Sequence, residues 1–205
     1  MDRVSAGEAD EHLELIFGRM DQSAGLTIVR LASESDINFT PYSLVDAEES
    51  WSRCWNYCAL KANRFNLPCI DITWNGSGPQ RWETVDLRSE LYSSFGGDFY
   101  LANGKATGYG SAAEVLARIA LTQAEAQERG KAFTISEWGI WSGRGITSTQ
   151  AVDFVQALWD LLVTFPDTGP GALLYWNHFW GKTDVSLRGW PLAYQLWRDL
   201  LIGEA

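Results

Sequence analysis

Short apolar, β-branched runs alternate with longer amphipathic segments along this chain. The runs predict strands at residues 26–33, 69–75, 85–92, 132–138 and 172–177. Helices are predicted around and between them, because apolar residues recur there with helical spacing. The resulting order is α-β-α-β-β-α-β-α-β-α. Strands that alternate with helices and are apolar throughout predict an α/β fold with a parallel sheet.

Capping residues mark several of the predicted helix starts. The capping pairs begin at Ser5, Ser111 and Thr147, each with Glu or Gln three residues later, and Pro191 fits the first turn of a last helix at 191–202. Another helix is predicted from about Asp46 to Arg64. The glycine-rich residues 93–110 show no periodicity and are predicted to form a loop.

The predicted strand ends share one chemical character, because each is polar, acidic or aromatic. They are Ser33 and Glu34, Trp74 and Asn75, Glu90 to Tyr92, Glu137 and Trp138, and Trp176 and Asn177. In parallel α/β folds the C-terminal ends of the strands meet at one rim, where ligands bind. Carboxylates, amides and aromatic faces at one rim suit a carbohydrate, whose hydroxyls need hydrogen bonds and whose C–H faces stack on aromatic rings.

Composition narrows the range of partners. A chain of 205 residues, of which 46% are apolar, predicts a single domain, 1–205, with a sizeable core. The net charge of −10 argues against a nucleic-acid partner, and no apolar run approaches the roughly 18 residues of a membrane span. The eleven tryptophans either fill this core or stack on sugars, and helical spacing predicts core positions for Trp51, Trp55, Trp159 and Trp197.

Two glutamates at strand ends, Glu34 and Glu137, suggest paired-carboxylate chemistry. Glycoside hydrolysis needs a proton donor together with a second carboxylate that attacks the anomeric carbon or activates water. The donor must stay protonated near neutral pH while its partner stays ionised. A separation of about 5–5.5 Å gives retention and about 6.5–9.5 Å gives inversion.

The whole chain resembles the C-terminal part of glycoside hydrolase family 26, the β-mannanase family, in the clan of retaining (β/α)8 barrels. Residues 30–42 are similar to the family's strand-4 pattern, Arg-Phe-x-His-Glu-Met-Asn-Gly-x-Trp-x-Pro-Trp, and residues 136–139 are similar to its strand-7 motif. The resemblance implies that Glu34 is the general acid/base and that Glu137 is the nucleophile.

The same resemblance implies further substrate contacts. Residues 85–92 are similar to the family's strand-6 pattern, Val-Asp-x-x-Gly-x-Asp-x-Tyr, which places Tyr92 against the nucleophile. Trp176 takes the position of the clan's strand-8 tryptophan, beneath the sugar at the cleavage point. The other substrate-binding candidates, at strand ends or in adjoining loops, are Asp36, Phe39, Tyr42, Asn75, Trp138, Trp141 and Asn177.

The chain departs from the strand-4 pattern in several places. Ser33 stands where the family has histidine, Asp36 replaces asparagine, and Phe39 and Tyr42 replace tryptophans. The combined motifs are therefore more specific for the clan than for the family, and least specific for mannan.

The resemblance also sets the expected extent of the fold. If Glu34 ends strand 4, the five predicted strands are strands 4 to 8 of a TIM-type barrel, which usually takes about 250 residues. We therefore expect a partial barrel and a C-terminal piece of a longer protein. No secretory signal is visible in residues 1–8, and the sequence leaves the location open. A secreted or periplasmic location is compatible with a natural chain that extends upstream of Met1. The chemistry requires no metal or cofactor, and the three cysteines lack the spacing of a zinc site.

The leading hypothesis is a retaining hydrolase of a β-linked polysaccharide, β-mannan or a related β-glycan, with a polysaccharide or oligosaccharide as its partner. The Ser33 departure and the missing strands favour an alternative, a carbohydrate-binding pseudo-enzyme or an inactive fragment of such a hydrolase. A third possibility is a non-carbohydrate α/β protein whose glutamates are structural, with Glu34 paired to Arg30 or Arg88. The sequence leaves the polysaccharide, the endo or exo mode and the oligomeric state open.

Overall fold

The structure is a computed structural model that describes most of the chain. The residues outside the description are 22–27, 33–34, 37–42, 66, 68, 76–81, 103–110, 142–144, 166–171, 176–178, 181–182, 185–186 and 204–205. The described helices are α1 (Asp2–Ser5), α2 (Asp10–Asp21), α3 (Glu48–Ala62), α4 (Ala112–Glu128), α5 (Ser148–Leu162) and α6 (Pro191–Ile202). The described strands are β1 (Ile28–Arg30), β2 (Cys69–Asn75), β3 (Ser94–Leu101), β4 (Ala132–Ile140), β5 (Ala172–Tyr175), β6 (Phe179–Trp180) and β7 (Thr183–Asp184).

Strands β1 to β5 form one parallel sheet in which each strand pairs with the next along the chain. Strands β6 and β7 form a separate antiparallel pair. Parallel neighbours in chain order, joined by helical crossovers, are the arrangement of a (β/α)8 barrel. The predicted α/β class and its parallel sheet are therefore confirmed. None of the helices in the described ranges is long and apolar enough to cross a membrane.

The outer face of the sheet packs against the helices through aromatic side chains. Trp74 of β2 lies 6.2 Å, between ring centroids, from Trp51 of α3 and 6.0 Å from Phe95 of β3. Trp138 of β4 lies 4.7 Å from Trp197 of α6. These rings are buried, so the layer between sheet and helices holds the hydrophobic core.

Several helix predictions are confirmed, and one is wrong. Ser111 and Thr147 make reciprocal capping boxes with Glu114 and Gln150. Ser5, in contrast, is the last residue of α1, and its hydroxyl donates to the carbonyl of Asp2 instead of capping a longer helix. The predicted core tryptophans on helices lie in the core: Trp51, Trp55 and Trp197 are buried, and Trp159 packs against Trp197.

The predicted strand at 85–92 is also wrong. A short 3-10 turn, Trp82–Thr84, precedes this segment and a second, Ser89–Leu91, lies within it. The strand is Ser94–Leu101, within the predicted loop. In residues 85–92 the apolar side chains pack on the core, with Leu91 and Tyr92 buried, while Arg88 and Glu90 pair with each other in solvent. Glycine-rich β3 has weak intrinsic strand propensity, so its neighbours β2 and β4 decide its conformation.

The inner face of the sheet is polar and is built around the carboxylate of Asp71. This carboxylate is 1% exposed and accepts hydrogen bonds from four hydroxyls. The donors are Thr73 (2.8 Å) on β2, Ser94 (2.6 Å) on β3, and Thr134 (2.8 Å) and Ser136 (2.9 Å) on β4. The network thus ties three adjacent strands together from the inside, and each of its members is buried.

Gly96 leaves the space that this network needs. It is the register partner of both Thr73 and Thr134, in the middle of β3. A Cβ atom at this position would lie 2.0 Å from the Thr134 Oγ1 and 2.2 Å from the Thr134 carbonyl oxygen. The Thr134 hydroxyl therefore reaches Asp71 through a volume that any other residue at position 96 would fill.

We predict that Gly96→Ala lowers the free energy of unfolding by about 3 kcal/mol or more, because the added methyl group meets backbone that cannot give way. Urea unfolding measures the change. Gly18→Ala in α2 is the matched control, since its Cβ would make an ordinary 3.5 Å contact with Phe65. Alanine favours a helix interior, so this control is expected to gain up to about 1 kcal/mol. Equal effects of the two substitutions would contradict the steric argument.

We also predict that Ser94→Ala lowers the free energy of unfolding by about 1–3 kcal/mol, because it leaves a buried carboxylate oxygen short of a donor. Ser50→Ala in α3 is its control. The Ser50 hydroxyl lies 3.5 Å from the Ala47 carbonyl oxygen, which already accepts from the Trp51 amide. The control is expected to stay within about 0.5 kcal/mol of the parent in the same urea titration. A neutral Ser94→Ala would show that the Asp71 network contributes nothing to stability.

Candidate active site

A β-bulge in β4 determines where Glu137 points. Gly97 pairs with Ile135, but the next residue, Asp98, pairs with Glu137, so Ser136 is an extra residue in β4. A bulge of this kind re-aims the side chains that follow it. Ser136 and Glu137 consequently both make contacts on the inner face, while Trp138 packs outward against α5 and α6.

The Glu137 carboxylate is held by two donors from other strands. Arg30 of β1 donates from Nη1 to Oε1 at 3.1 Å, and Tyr100 of β3 donates from its hydroxyl to Oε2 at 2.6 Å. Each carboxylate oxygen therefore has its own donor, which fixes the orientation of the group. The side chain remains 19% exposed, so an outside molecule has access to it.

Arg30 connects this carboxylate with the buried network below it. Its Nη2 donates to the Ser136 carbonyl, and its Nε lies 3.9 Å from the Asp71 Oδ2. Arg30 is also the register partner of Asp71, one strand away. The guanidinium thus faces two carboxylates, one buried and one at the rim.

Further polar and aromatic groups lie beside Glu137 at the rim. Asn75, Asp98 and Glu137 are register partners across β2, β3 and β4, which places their backbones in one row. The rings of Trp141 and Tyr100 meet edge-on, with 6.4 Å between their centroids. The backbone amide of Trp141 donates to the Leu101 carbonyl. A carboxylate, a phenol and an indole therefore lie together at the C-terminal ends of β3 and β4, as the sequence predicts for a sugar site.

Two predicted site residues lie elsewhere. Tyr92 precedes β3 and is therefore at the opposite end of that strand from the rim. Its ring packs on Trp55, and its hydroxyl accepts from Arg129 at 3.5 Å. Trp138 is fully buried between Phe154 and Trp197 in the helical layer. The two residues are misplaced for different reasons. For Tyr92 the predicted strand boundary is incorrect, and for Trp138 the bulge turns the side chain outward.

The remaining predictions divide between described and undescribed positions. Asp36 is buried, and the carbonyl of its neighbour Ser35 accepts from the Leu44 amide. For Asn75 the structure describes the backbone position. Glu34, Phe39, Tyr42, Trp176 and Asn177 lie outside the described residues. The predicted separation between Glu34 and Glu137 therefore stays a prediction.

Tyr100 and Asp71 are site components that sequence reasoning missed. A signal for Tyr100 was present, since the Gly-x-Asp-x-Tyr end of the strand-6 pattern fits Gly96 to Tyr100 better than it fits residues 85–92. Asp71 carried no comparable signal, because a lone acid inside an apolar strand pattern does not reveal its partners. Arg30 was expected to pair with Glu34 if the glutamates were structural, and the structure pairs it with Glu137.

Comparison with known proteins identifies the architecture. No protein-family model matches the chain, and no curated protein matches it by sequence. Among solved structures, the GH26C protein of Muricauda sp. matches 96% of this chain and 56% of its own, with a TM-score of 0.67 and 15% identity. The catalytic domain of the Bacillus sp. JAMB-750 GH26 endo-β-1,4-mannanase matches 97% and 60%, with a TM-score of 0.63 and 15% identity.

A third structure widens the comparison beyond that family. Native xylanase 10B of Thermotoga maritima matches 95% of this chain and 65% of its own, with a TM-score of 0.54 and 12% identity. The chain thus spans between 56% and 65% of these three structures. Likeness at such low identity shows the fold, and the expected fold is confirmed: the chain forms a partial (β/α)8 barrel similar to those of the glycoside hydrolase family 26 structures.

Proposed function

We propose that this chain carries the two-glutamate site of a retaining glycoside hydrolase that acts on a β-linked polysaccharide, β-mannan or a related β-glycan. The observation that carries the proposal is the setting of Glu137. It lies in the C-terminal half of β4, turned inward by a bulge, with Arg30 on one carboxylate oxygen and Tyr100 on the other. The glycoside hydrolase fold of the solved neighbours supports the same conclusion.

The two donors suit a carboxylate nucleophile. A guanidinium on one oxygen and a phenol hydroxyl on the other fix the orientation of the carboxylate, as a nucleophile requires. A general acid needs the opposite surroundings, with no cation beside it and a proton retained near neutral pH. The contacts of Glu137 therefore favour the nucleophile role over the acid role.

The proposed reaction is a double displacement. Glu137 attacks the anomeric carbon while Glu34 protonates the departing glycosidic oxygen, so the first sugar fragment leaves as an alcohol. Water then attacks the glycosyl ester, Glu34 takes its proton, and Glu137 leaves as a carboxylate. The two inversions return the original anomeric configuration, and no metal or cofactor enters either step.

The rim supplies groups for holding the sugar. Trp141 offers an aromatic group beside Tyr100, and Asn75 lies in the same row as Glu137. The net charge of −10 suits a neutral polysaccharide better than a polyanionic one. We include Asp36, Phe39, Tyr42, Trp176 and Asn177 in the proposed substrate-binding set on the family resemblance.

We predict that a 2-deoxy-2-fluoro-β-mannoside with an activated leaving group labels Glu137. The fluorine slows both steps, and the good leaving group restores the first, so the covalent ester accumulates. Peptide mass spectrometry should find the added sugar on Glu137, and Glu137→Gln should abolish the label. Glu34→Gln should keep the label, because an activated leaving group needs no proton from it.

The same substrate class tests turnover. Glu137→Gln and Glu34→Gln are each expected to lower the rate of hydrolysis of an unactivated β-mannan oligosaccharide by about 10³-fold or more. Binding of the oligosaccharide without label and without hydrolysis would instead support the carbohydrate-binding pseudo-enzyme. A label on a different carboxylate would contradict the assignment of Glu137.

We predict that Tyr100→Phe lowers kcat by about 10–100-fold, because Glu137 loses the donor on Oε2 and with it a fixed orientation. Tyr92→Phe is the matched control. It removes the same hydroxyl from a tyrosine at the far end of β3, where the neighbours are Trp55 and Arg129. Steady-state kinetics on one aryl β-mannoside compares the two. A lower kcat with Tyr92→Phe and an unchanged kcat with Tyr100→Phe would support Tyr92 as the tyrosine beside the nucleophile and contradict the assignment to Tyr100.

A further inference from the structure

We propose that Cys54 and Cys58 of α3 form a two-thiolate site for a soft monovalent metal ion, of which Cu(I) is the biological example. The two cysteines belong to the helical layer on the outer side of the sheet. The inference does not depend on the proposed function, because glycoside hydrolysis at Glu137 makes no use of these thiols.

The two thiols face each other because their residues are four apart on one helix. Helix α3 runs without interruption from Glu48 to Ala62, so Cys54 and Cys58 lie one turn apart on the same side. Their side chains are hydrogen-bonded to each other, and both are free cysteines. Both are also partly exposed, so an ion from solvent can reach them. The helix therefore presents two adjacent thiols near its surface.

Core contacts hold this stretch of α3 in place. Trp51, Trp55 and Ala59, which lie next to the cysteines along the helix, are buried. The Trp55 indole also donates to the Leu31 carbonyl at 3.1 Å. Because the backbone under both cysteines is anchored in this way, the two sulfur atoms are brought together before any ligand binds, and binding costs little ordering of the chain.

The helical spacing distinguishes a metal bridge from a disulfide. Cβ atoms of residues four apart on a helix lie about 5–6 Å from each other, whereas a disulfide requires about 3.5–4.5 Å. A direct S–S bond would therefore require this turn of α3 to distort. A metal ion between two sulfurs holds them about 4.6 Å apart, twice a metal–sulfur bond of about 2.3 Å. This longer bridge fits an intact helix.

The number and type of ligands indicate the class of metal. Among the described residues, no group of three or more histidine, cysteine or acidic side chains is placed to hold a metal ion. Structural zinc takes four ligands, and calcium and magnesium take oxygen ligands. Two sulfur ligands suit a soft ion of low coordination number instead, and thiolates select Cu(I). The net charge of −10 also favours a cation over an anionic ligand.

Binding releases protons and transfers no electrons. Each thiol loses its proton to solvent as its sulfur forms a bond to the metal, and the ion remains Cu(I). Two thiolates and one monovalent ion leave a single net negative charge on the site. Partial exposure of the two cysteines keeps that charge in contact with water.

The experiment titrates the reduced full chain with Cu(I) in the absence of oxygen, in competition with the chelator bicinchoninate. The chain should retain one copper ion. Cys54→Ser and Cys58→Ser should each weaken binding by about 100-fold or more, because even the loss of a contact outside the direct ligands costs about 10–100-fold in metal affinity. Circular dichroism checks that both variants keep their helices.

Cys69→Ser is the matched control, since it removes one thiol from β2 and leaves Cys54 and Cys58 as the remaining cysteines of the chain. It should bind Cu(I) as tightly as the parent. Weaker binding in this control, full affinity in Cys54→Ser or Cys58→Ser, or complete removal of copper from the parent by bicinchoninate would overturn the inference.

X-ray absorption at the copper edge gives a second measurement that needs neither serine variant of the pair to fold. On the Cys69→Ser chain it should find two sulfur ligands, and nitrogen or oxygen ligands in their place would overturn the site. The result is separable from that of the proposed function. A chain that holds copper on these two sulfurs without hydrolysing a glycoside supports the metal site and rejects the hydrolase, and the reverse result does the opposite.

Discussion

The described site depends on the hydrogen-bond network around the buried carboxylate of Asp71. A parallel sheet that curves needs its inner face filled, and here the filling is polar instead of aliphatic. Four hydroxyls from three strands converge on one acid, and a guanidinium from a fourth strand lies beside it. Because a buried charge is costly unless it is paired and hydrogen-bonded, this group holds its surroundings to a narrow set of arrangements.

The bulge at Ser136 links this buried layer to the rim. It gives β4 two consecutive inward side chains, so that Ser136 joins Asp71 while Glu137 joins Arg30 and Tyr100. The same extra residue turns Trp138 outward into the helical core. One local irregularity therefore builds the candidate site and completes the outer packing at the same time.

The aromatic residues serve different purposes on the two faces of the sheet. On the outer face, Trp51, Trp74 and Trp138 fill the layer between strands and helices, as large apolar side chains do in any core. Near the rim, Tyr100 and Trp141 lie together beside the exposed edge of Glu137. At these described positions the tryptophans fill the core between strands and helices. The candidate site differs from that core because its side chains on the inner face are polar.

Hydrophobic periodicity was sufficient where an element has a strong pattern of its own. It predicted the α/β class and the span of β2, and it placed an acid in the C-terminal half of β4. Capping residues, which are an equally local signal, predicted the starts of α4 and α5. The family resemblance added the partial barrel, and the nucleophile role that it implies for Glu137 stays a prediction. The confirmed features depend on local sequence, so a single chain was enough to find them.

Tertiary contacts decided the rest. Strand β3 contains Gly96 and Gly97, whose weak propensity gives no strand signal, and it forms because β2 and β4 pair with it on either side. Because β3 begins at Ser94 and not at residue 85, the tyrosine that donates to Glu137 is Tyr100 and not Tyr92. The register change at Ser136 and the pairing of Arg30 with both acids join residues that are far apart in the chain. Arg30 and Glu137, for example, are 107 positions apart. The sequence by itself determined which side chains were available, and the sheet register decided which of them meet, because a shift of one residue turns a side chain to the other face.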